Sequence, residues 1–211
     1  RTIYATAEEE LRPVMNGIYF DIDNSSATLV ASDAHKLVCY TRNDIKSENR
    51  SSFILPKKPS SVLKNILGKG DEEVVIRFDS RNATFVFESF NLVCRLVEGN
   101  YPAYKSVIPK NNTNKLIINR LDFLNSARRV AVCSNQASSQ VRLKLTYNRL
   151  TLSAQDLDFS ISANENLMCQ YEGDNMEIAF KSTFLIEILT NLPYTDISLE
   201  LSDPSRAALI L

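Results

Sequence analysis

The strongest constraint on this 211-residue chain is an internal repeat with a fixed offset of 123 positions. Thr28-Leu29, for example, reappears as Thr151-Leu152. The same offset aligns, without a gap, Ile18 with Val141, Phe20 with Leu143, Ala31 with Ala154, Asp33 with Asp156, Leu55 with Ile178, Lys58 with Lys181, Leu63 with Ile186 and Ile76 with Leu199. Because there are only two copies, the pattern indicates a duplicated domain rather than a solenoid. We therefore expect two similar domains, which also suits the length of the chain.

Each copy has the periodicity of a mixed helix and strand domain. Alternating apolar residues predict strands at 17–22, 27–31, 35–41, 53–55, 74–78, 83–87 and 91–97 in the first copy, and at 115–119, 141–146, 150–154, 158–163, 176–180, 197–201 and 207–211 in the second. Helices are predicted over 5–15, from Pro59 to Gly68 and Gly70, over 121–134 and over 182–192. The pattern predicts an α+β fold in which each domain packs two helices on an antiparallel sheet.

A linker is predicted between Pro102 and Lys115, because prolines and the polar run 111–114 interrupt the periodicity there. We therefore assign residues 1–108 to the first domain and residues 109–211 to the second. Comparison of the copies predicts that the first domain lacks the strand before its first helix. The second domain is predicted to lack its last strand.

Charge is nearly balanced, with 24 Lys and Arg against 25 Asp and Glu, which argues against a uniformly basic nucleic-acid binder. Several cations are nevertheless grouped at the predicted helices, including Lys57, Lys58, Lys64, Arg128, Arg129 and Lys181. Such a stripe would suit contacts to phosphates that do not depend on base sequence. On charge alone, an ordinary solvated helix surface explains these residues more simply, and Glu8-Glu9-Glu10 weakens the phosphate interpretation.

The residues that carry chemistry in enzymes are sparse here. The four cysteines (Cys39, Cys94, Cys133 and Cys169) are too widely spaced for a zinc site, and we expect them to be small buried residues in a reducing compartment. His35 is the single histidine, with Asp33 two positions before it, and an acid–base pair is the enzymatic interpretation of this segment. A turn-forming aspartate is favoured, since Asp156 repeats it while Asp158 replaces the histidine. We predict no catalytic residue, no metal and no cofactor, and the apolar runs are too short to span a membrane.

Five segments together resemble one family, the bacterial sliding clamp, which is the beta subunit of DNA polymerase III. Leu29–Leu37 (LVASDAHKL) resembles the family's V-A-T-D-G-H-R-L segment, and Leu11–Ile18 (LRPVMNGI) resembles its L-R-x-x-x-N-G-I stretch. Glu98–Pro109 (EGNYPAYKSVIP) is similar to the linker D-G-x-F-P-D-Y-x-x-V-I-P. Arg129–Asn135 (RVAVCSN), followed by Val141-Arg142-Leu143, and Met176–Phe180 (MEIAF) complete the match in the right order. Ala34 stands where the family usually has glycine, and Lys36 where it has arginine.

The resemblance implies a non-catalytic, cytoplasmic replication protein, in which three-domain protomers form a ring-shaped homodimer around double-stranded DNA. This chain would hold the second and third domains, and without the first it should not close a ring. The implied DNA-facing residues are Lys57, Lys58, Lys64, Lys110, Arg128, Arg129 and Lys181. The implied partners are the alpha subunit of DNA polymerase III, the delta subunit of the clamp loader and other proteins with a clamp-binding motif of the type Q-L-x-L-F.

The resemblance also implies a groove that receives this motif. By matching motifs, the groove residues are Arg12, Met15, Ser32, Ala34, His35, Lys36, Leu37, Pro102, Val107, Phe184, Ser205 and Ala207. Apolar anchors of a bound peptide would gain about 1.5–3 kcal/mol for each fully buried side chain. Two rival interpretations remain open at this point: a small-substrate enzyme centred on Asp33 and His35, and a protein-interaction module that binds no nucleic acid.

Overall fold

The computed structural model describes residues 1–45, 47–67 and 73–211, and it divides into two compact units, Arg1–Tyr104 (unit 1) and Lys105–Leu211 (unit 2). The described residues form four sheets, in which every strand pairing is antiparallel. The predicted α+β class with tandem antiparallel sheets is confirmed.

Unit 1 places one sheet of four strands and one of three around a short helix. Its elements are β1 (Gly17–Ile22), β2 (Ala27–Ser32), β3 (Leu37–Arg42), β4 (Ser51–Pro56), α1 (Lys57–Ile66), β5 (Val75–Phe78), β6 (Asn82–Val86) and β7 (Asn91–Arg95). The strand orders are β3-β2-β1-β4 and β5-β6-β7. The helix predicted from Pro59 begins two residues earlier, and its predicted end at Gly68 and Gly70 lies outside the described residues.

The helix predicted over 5–15 is wrong. Residues Ile3–Ala5 and Pro13–Met15 form two single-turn 3-10 segments instead, so the described part of unit 1 has one α-helix rather than the two expected. The repeat explains the error, because the offset aligns residues 5–15 with 128–138, where the helix of the second copy ends and a loop follows. Pro13 also lacks the N–H that a continuing helix would need.

Unit 2 contains two α-helices and two four-stranded sheets. Its elements are β8 (Asn114–Asn119), α2 (Arg120–Ala131), β9 (Gln140–Thr146), β10 (Arg149–Asp156), β11 (Ile161–Met168), β12 (Gln170–Glu172), β13 (Met176–Lys181), α3 (Ser182–Asn191), β14 (Asp196–Leu201) and β15 (Leu209–Ile210). The strand orders are β11-β10-β9-β13 and β12-β8-β14-β15. The short strand β12 was missed by the sequence prediction.

Side-chain hydrogen bonds fix both ends of the helix pair in unit 2. The Asn119 side chain accepts hydrogen bonds from the backbone N–H groups of Leu121 and Asp122, and so caps the N-terminus of α2. The Arg120 guanidinium donates to the carbonyls of Leu189 and Tyr194, at 3.0 and 2.7 Å. Arg120 therefore satisfies the Leu189 carbonyl in the last turn of α3, which has no helical partner, and the Tyr194 carbonyl in the loop that follows.

The apolar cores of the two units differ in continuity. In unit 2 one cluster joins both helices to both sheets, with Phe123, Leu143, Leu152 and Leu189 fully buried. In unit 1 the buried apolar residues form two clusters, a larger one around Leu55 and Leu63 and a smaller one of Ala5, Ile18 and Ala31.

The cysteines only partly match their prediction. Cys94, Cys133 and Cys169 are half-buried, but Cys39 is exposed, because it lies on the outer face of the edge strand β3. The four cysteines form no disulfide, and burial raises the pKa of the Cys94 and Cys169 thiols. Among the described residues, we find no helix with the length and apolar character needed to cross a membrane.

Candidate functional site

The predicted groove residues of unit 1 include the tight turn between β2 and β3. The Asp33 carboxylate accepts hydrogen bonds from the backbone N–H groups of His35 and Lys36, both at 2.9 Å, and from the Lys36 ammonium at 2.5 Å. Ser32 adds two bonds, because its hydroxyl donates to the Lys36 carbonyl and accepts from the Ala34 N–H. Burial raises the pKa of the Asp33 carboxyl, but the hydrogen bonds from Lys36 and His35 outweigh it, so the pKa lies below its usual value. Asp33 therefore organises the turn.

This turn exposes some of the predicted groove residues to solvent and buries others in part. Ala34 and His35 are exposed and Leu37 is half-buried. The Lys36 side chain is only 8% exposed, because it lies along the turn with its ammonium on Asp33. Lys36 is thus placed to hold the turn rather than to meet a ligand.

Ala34 has a left-handed backbone conformation, with φ of 72°. A residue with a Cβ atom pays about 1–2 kcal/mol for this conformation, whereas glycine adopts it freely. The strain lies at an exposed residue of the turn, and the preceding Ser32 and following Lys36 hold the backbone in place.

The other predicted groove residues of unit 1 precede β1. The Arg12 guanidinium forms an ion pair with Glu9 at 2.9 Å, and Glu9 is held in turn by two backbone-to-side-chain hydrogen bonds with Asn16. Met15 is 6% exposed and belongs to the interior of unit 1, so it offers a ligand little area. Pro102 is exposed.

The strand register brings these two groups of unit 1 to the same end of one sheet. Tyr19 pairs with Val30 in the antiparallel ladder, so the start of β1 lies beside the end of β2. The segment Pro13–Met15 enters β1, and the turn 33–36 leaves β2. An exposed arginine, an exposed histidine and a half-buried leucine therefore lie at one sheet end, which suits an apolar anchor flanked by polar groups.

In unit 2 the predicted groove residues are separated along the chain. Val107 is 63% exposed, and Ser205 and Ala207 are exposed. The Ser205 hydroxyl donates to Asp203, which folds the loop between β14 and β15. Phe184 is half-buried on α3, and the Lys181 ammonium lies 5.1 Å from the centre of its ring.

The predicted DNA-facing cations of unit 1 belong to α1, a helix whose sequence contains no acidic residue. Lys58 and Lys64 are exposed, whereas the Lys57 ammonium pairs with Glu8 at 2.6 Å. In unit 2, the predicted cations Lys110, Arg128, Arg129 and Lys181 are all exposed. Two of these form hydrogen bonds through their side chains: Arg129 makes two bonds of 2.6 Å to Glu165, and Arg128 donates to the Thr190 hydroxyl at 3.3 Å.

Lys58 and Lys181 are equivalent in the repeat and both lie at the N-terminus of a helix. In the described structure neither α1 nor α3 has a side-chain hydrogen bond capping this end. A lysine at a helix N-terminus opposes the helix dipole, at a cost of about 0.3–1 kcal/mol when exposed. The first N–H group of each helix donates to a backbone carbonyl, of Asn16 or of Ser139. The positive end of a helix dipole next to a lysine attracts a phosphate.

Comparison with known proteins decides the family. Residues 1–103 match the central domain of the DNA polymerase III beta subunit, and residues 105–211 match its C-terminal domain. This chain belongs to the DNA polymerase III beta subunit family. Similar members of this family are named beta sliding clamps.

Two curated clamps illustrate the similarity. The beta sliding clamp of Pseudomonas aeruginosa is 28% identical over the whole chain, which covers 57% of that protein. The clamp of Proteus mirabilis is 31% identical over 96% of the chain and 55% of its own length. The chain therefore spans a little over half the length of the clamps it matches.

Solved structures show the same relationship. The P. aeruginosa clamp bound to griselimycin has a TM-score of 0.94 and 27% identity, over 99% of this chain and 57% of that clamp. The Bartonella birtlesii clamp, also bound to griselimycin, has a TM-score of 0.90 and 32% identity over the same shares.

Two features of this clamp-family chain were missed by sequence reasoning. The capping role of Arg120 was missed because a helix-terminal arginine gives no pattern of its own. The packing of Tyr101 and Tyr104 against the sheet of unit 1 was also missed, although two tyrosines in a short linker were a visible signal. In the described ranges, no group of three or more His, Cys, Asp or Glu residues is arranged to hold a metal ion.

Proposed function

We propose that the chain forms part of a DNA sliding clamp, the processivity factor that keeps a replicative polymerase on its template. The full-length protein would encircle duplex DNA as a homodimeric ring and tether the polymerase, the clamp loader and repair proteins through a peptide groove. The observation that carries this proposal is the consecutive match of both units to the central and C-terminal domains of one family.

The helix N-termini support a role in phosphate contact. Lys58 and Lys181 repeat a cation at a position where it costs helix stability, and a phosphate would turn that cost into a gain. Lys64 and Lys110 add exposed charge. Lys57 and Arg129 would contribute less, because a phosphate must first compete with Glu8 or Glu165.

The turn of β2 and β3 supports the peptide groove. Its backbone is fixed by Asp33 and Ser32 before any ligand arrives, so little ordering is needed on binding. Leu37 supplies apolar area, and His35 and Arg12 supply polar groups at its border. The same hydrogen bonds argue against the enzyme alternative, because the Asp33 carboxylate is already used in the turn. In our proposal the chain is non-catalytic and cytoplasmic, and polymerase activity belongs to its partner.

The open edge strand β11 supports dimer formation by the full-length protein. Among the described strands, β11 pairs only with β10, and apolar side chains near this edge are strongly exposed, with Leu157 at 79%, Phe159 at 69% and Met168 at 83%. Natural proteins rarely leave such an edge without a partner. A neighbouring protomer that adds a strand there would satisfy both the backbone and the apolar side chains.

A peptide titration on the 211-residue chain tests the groove. We expect a Q-L-x-L-F peptide to bind with an affinity on the order of micromolar. Leu37→Asp should reduce binding at least about 100-fold, because it removes apolar contact and buries a charge. Leu121→Asp is the matched control, since Leu121 is an exposed leucine of α2 outside the groove. Equal binding by wild type and Leu37→Asp would refute the groove.

Fluorescence anisotropy with duplex DNA tests the charged helices. We expect weak association that falls steeply with salt, as expected for counterion release. Replacing both Lys58 and Lys181 by Glu should abolish it, whereas replacing Lys57 and Arg129 by Gln should have a smaller effect. Binding that is insensitive to salt and to the double substitution would contradict the phosphate proposal.

A further inference from the structure

The repeat makes the same sheet face directly comparable in both units, and the two faces differ in what covers them. In unit 1 the outer face of the sheet β3-β2-β1-β4 is covered by the chain's own residues 101–104. The Tyr101 ring stacks on the Tyr19 ring at 4.9 Å with a 7° angle, and the Tyr104 ring meets Tyr19 edge-on at 6.2 Å. The Tyr104 hydroxyl donates to Asp21 at 3.3 Å, and Tyr104 is 7% exposed.

The equivalent face of unit 2 is an open concavity. It has a volume of about 510 Å³ and lies on the sheet β11-β10-β9-β13. Arg142, Ser153, Gln155 and Ser162 line it, and they correspond in the repeat to Tyr19, Val30, Ser32 and Cys39. The concavity therefore lies where unit 1 holds its two tyrosines.

The substitutions between the copies indicate which chemistry would fill this concavity. Arg142 replaces Tyr19, the ring on which Tyr101 stacks, and a guanidinium also stacks on an aromatic ring. Lys144 replaces Asp21, the residue whose carboxylate accepts the hydrogen bond from the Tyr104 hydroxyl in unit 1. The corresponding group in unit 2 is therefore an ammonium, which donates hydrogen bonds. A ligand for unit 2 would need an acceptor where Tyr104 has its hydroxyl.

Ion pairs and hydrogen bonds hold several lining residues of the concavity in place. Arg142 is held at 3.2 Å by Glu177 on the neighbouring strand β13. The Asn135 side chain accepts hydrogen bonds from the N–H groups of Ala137 and Ser138 and donates to Asp156, which fixes one wall. Of the remaining lining residues, Asn135, Ser138, Gln140 and Asn164 can both donate to and accept from a peptide backbone, and the others are Ala154, Leu157, Asp158 and Ala163.

We propose that this concavity of unit 2 is a second peptide-binding site, which receives an aromatic residue followed three positions later by an acidic residue. The aromatic ring would stack on Arg142 in the lining, and the carboxylate would pair with Lys144, an exposed residue two positions further along β9 and outside the lining. The site is separate from the groove residues predicted for clamp-binding motifs and does not depend on that groove. Unit 1 supplies the template, because the same face there already holds a segment with the same spacing.

The test is a titration of the ¹⁵N-labelled 211-residue chain with the peptide acetyl-Gly-Asn-Tyr-Pro-Ala-Glu-amide. This peptide copies the segment that covers unit 1, with Glu in place of its last tyrosine. We expect saturable amide shifts at Ser153, Gln155 and Ser162, with a dissociation constant on the order of a millimolar. Arg142→Ala should weaken binding at least about fivefold. Arg149→Ala should leave it unchanged, since Arg149 is an exposed arginine of β10 that does not line the concavity.

A charge exchange makes the test specific. Lys144→Asp should reverse the preference, so that the peptide ending in Tyr binds better than the peptide ending in Glu, by about threefold. The spectra of each variant also report whether the fold is retained. Absence of saturable shifts in the wild type, equal binding by Arg142→Ala, or an unchanged preference in Lys144→Asp would each overturn the proposal.

Discussion

The two units share one repeat but reach different cores. In unit 2 the 12-residue helix α2 joins α3 over a single continuous apolar cluster. In unit 1 the residues aligned with the last part of α2, 1–8, form only the 3-10 segment Ile3–Ala5, and the apolar residues separate into a larger and a smaller cluster. The difference teaches that the strand pattern of a repeat specifies the sheet, whereas the continuity of the core depends on the helices that cover it.

The repeat provides a matched pair of leucines that tests whether the two cores differ in stability. Leu152 is fully buried, and its equivalent Leu29 is half-buried. We expect Leu152→Ala to lower the free energy of unfolding of unit 2 by about 3–5 kcal/mol, and Leu29→Ala to cost unit 1 about 1–2 kcal/mol. Urea unfolding followed by NMR signals of each unit measures both, and equal losses would contradict the difference between the cores.

The cap of α2 is the next largest effect. Asn119→Ala removes the side chain that accepts from two N–H groups, and should destabilise unit 2 by about 1 kcal/mol. Asn125→Ala is the control, because Asn125 is an exposed residue within the same helix. If the two alanine variants unfold at the same urea concentration, the cap does not contribute as described.

The turn of unit 1 offers a stabilising change. Ala34→Gly should raise the free energy of unfolding of unit 1 by about 0.5–1 kcal/mol, because the relief of the left-handed strain exceeds the entropy lost by glycine. The measurement is again urea unfolding. A destabilised Ala34→Gly variant would show that the turn is not strained.

The smallest effect concerns pH. The pKa of Asp33 is lowered in the folded chain from its usual value of 3.8, so the carboxylate stabilises unit 1 above that pH. This stabilisation should be lost as the pH falls below about 4 and through the folded-state pKa. Asp33→Asn should therefore flatten the acid side of the stability profile of unit 1, and an unchanged profile would rule out this contribution.

Much of the fold could be predicted from the sequence, because burial alternates along strands such as β6, β8, β9, β10 and β14. The prediction for residues 5–15 failed because Ala7 to Leu11 has helix-favouring composition, yet Pro13 and the Glu9–Asn16 hydrogen bonds hold the chain in another path. Tertiary contacts here override local preference.

The candidate site could be predicted from the resemblance to a known family, but its side-chain contacts could not. The resemblance located the turn of Ala34 and the groove residues, but it could not show that Lys36 is drawn onto Asp33 or that Arg129 is paired with Glu165. Arg129 and Glu165 are 36 positions apart in the sequence, whereas Asp33 and Lys36 are three apart but pair only because the turn between them folds back. The concavity of unit 2 was invisible for the same reason, because its lining comes from several strands.

One measurement tests the central claim that this duplicated chain is a clamp fragment with its motif-binding residues at the turn of unit 1. It is amide chemical-shift mapping of the ¹⁵N-labelled chain with a Q-L-x-L-F peptide. The account predicts saturable shifts at residues 32–37 and none at Ser153 or Gln155, which line the concavity of unit 2. Shifts confined to that concavity, or no saturable shift at residues 32–37, would contradict it.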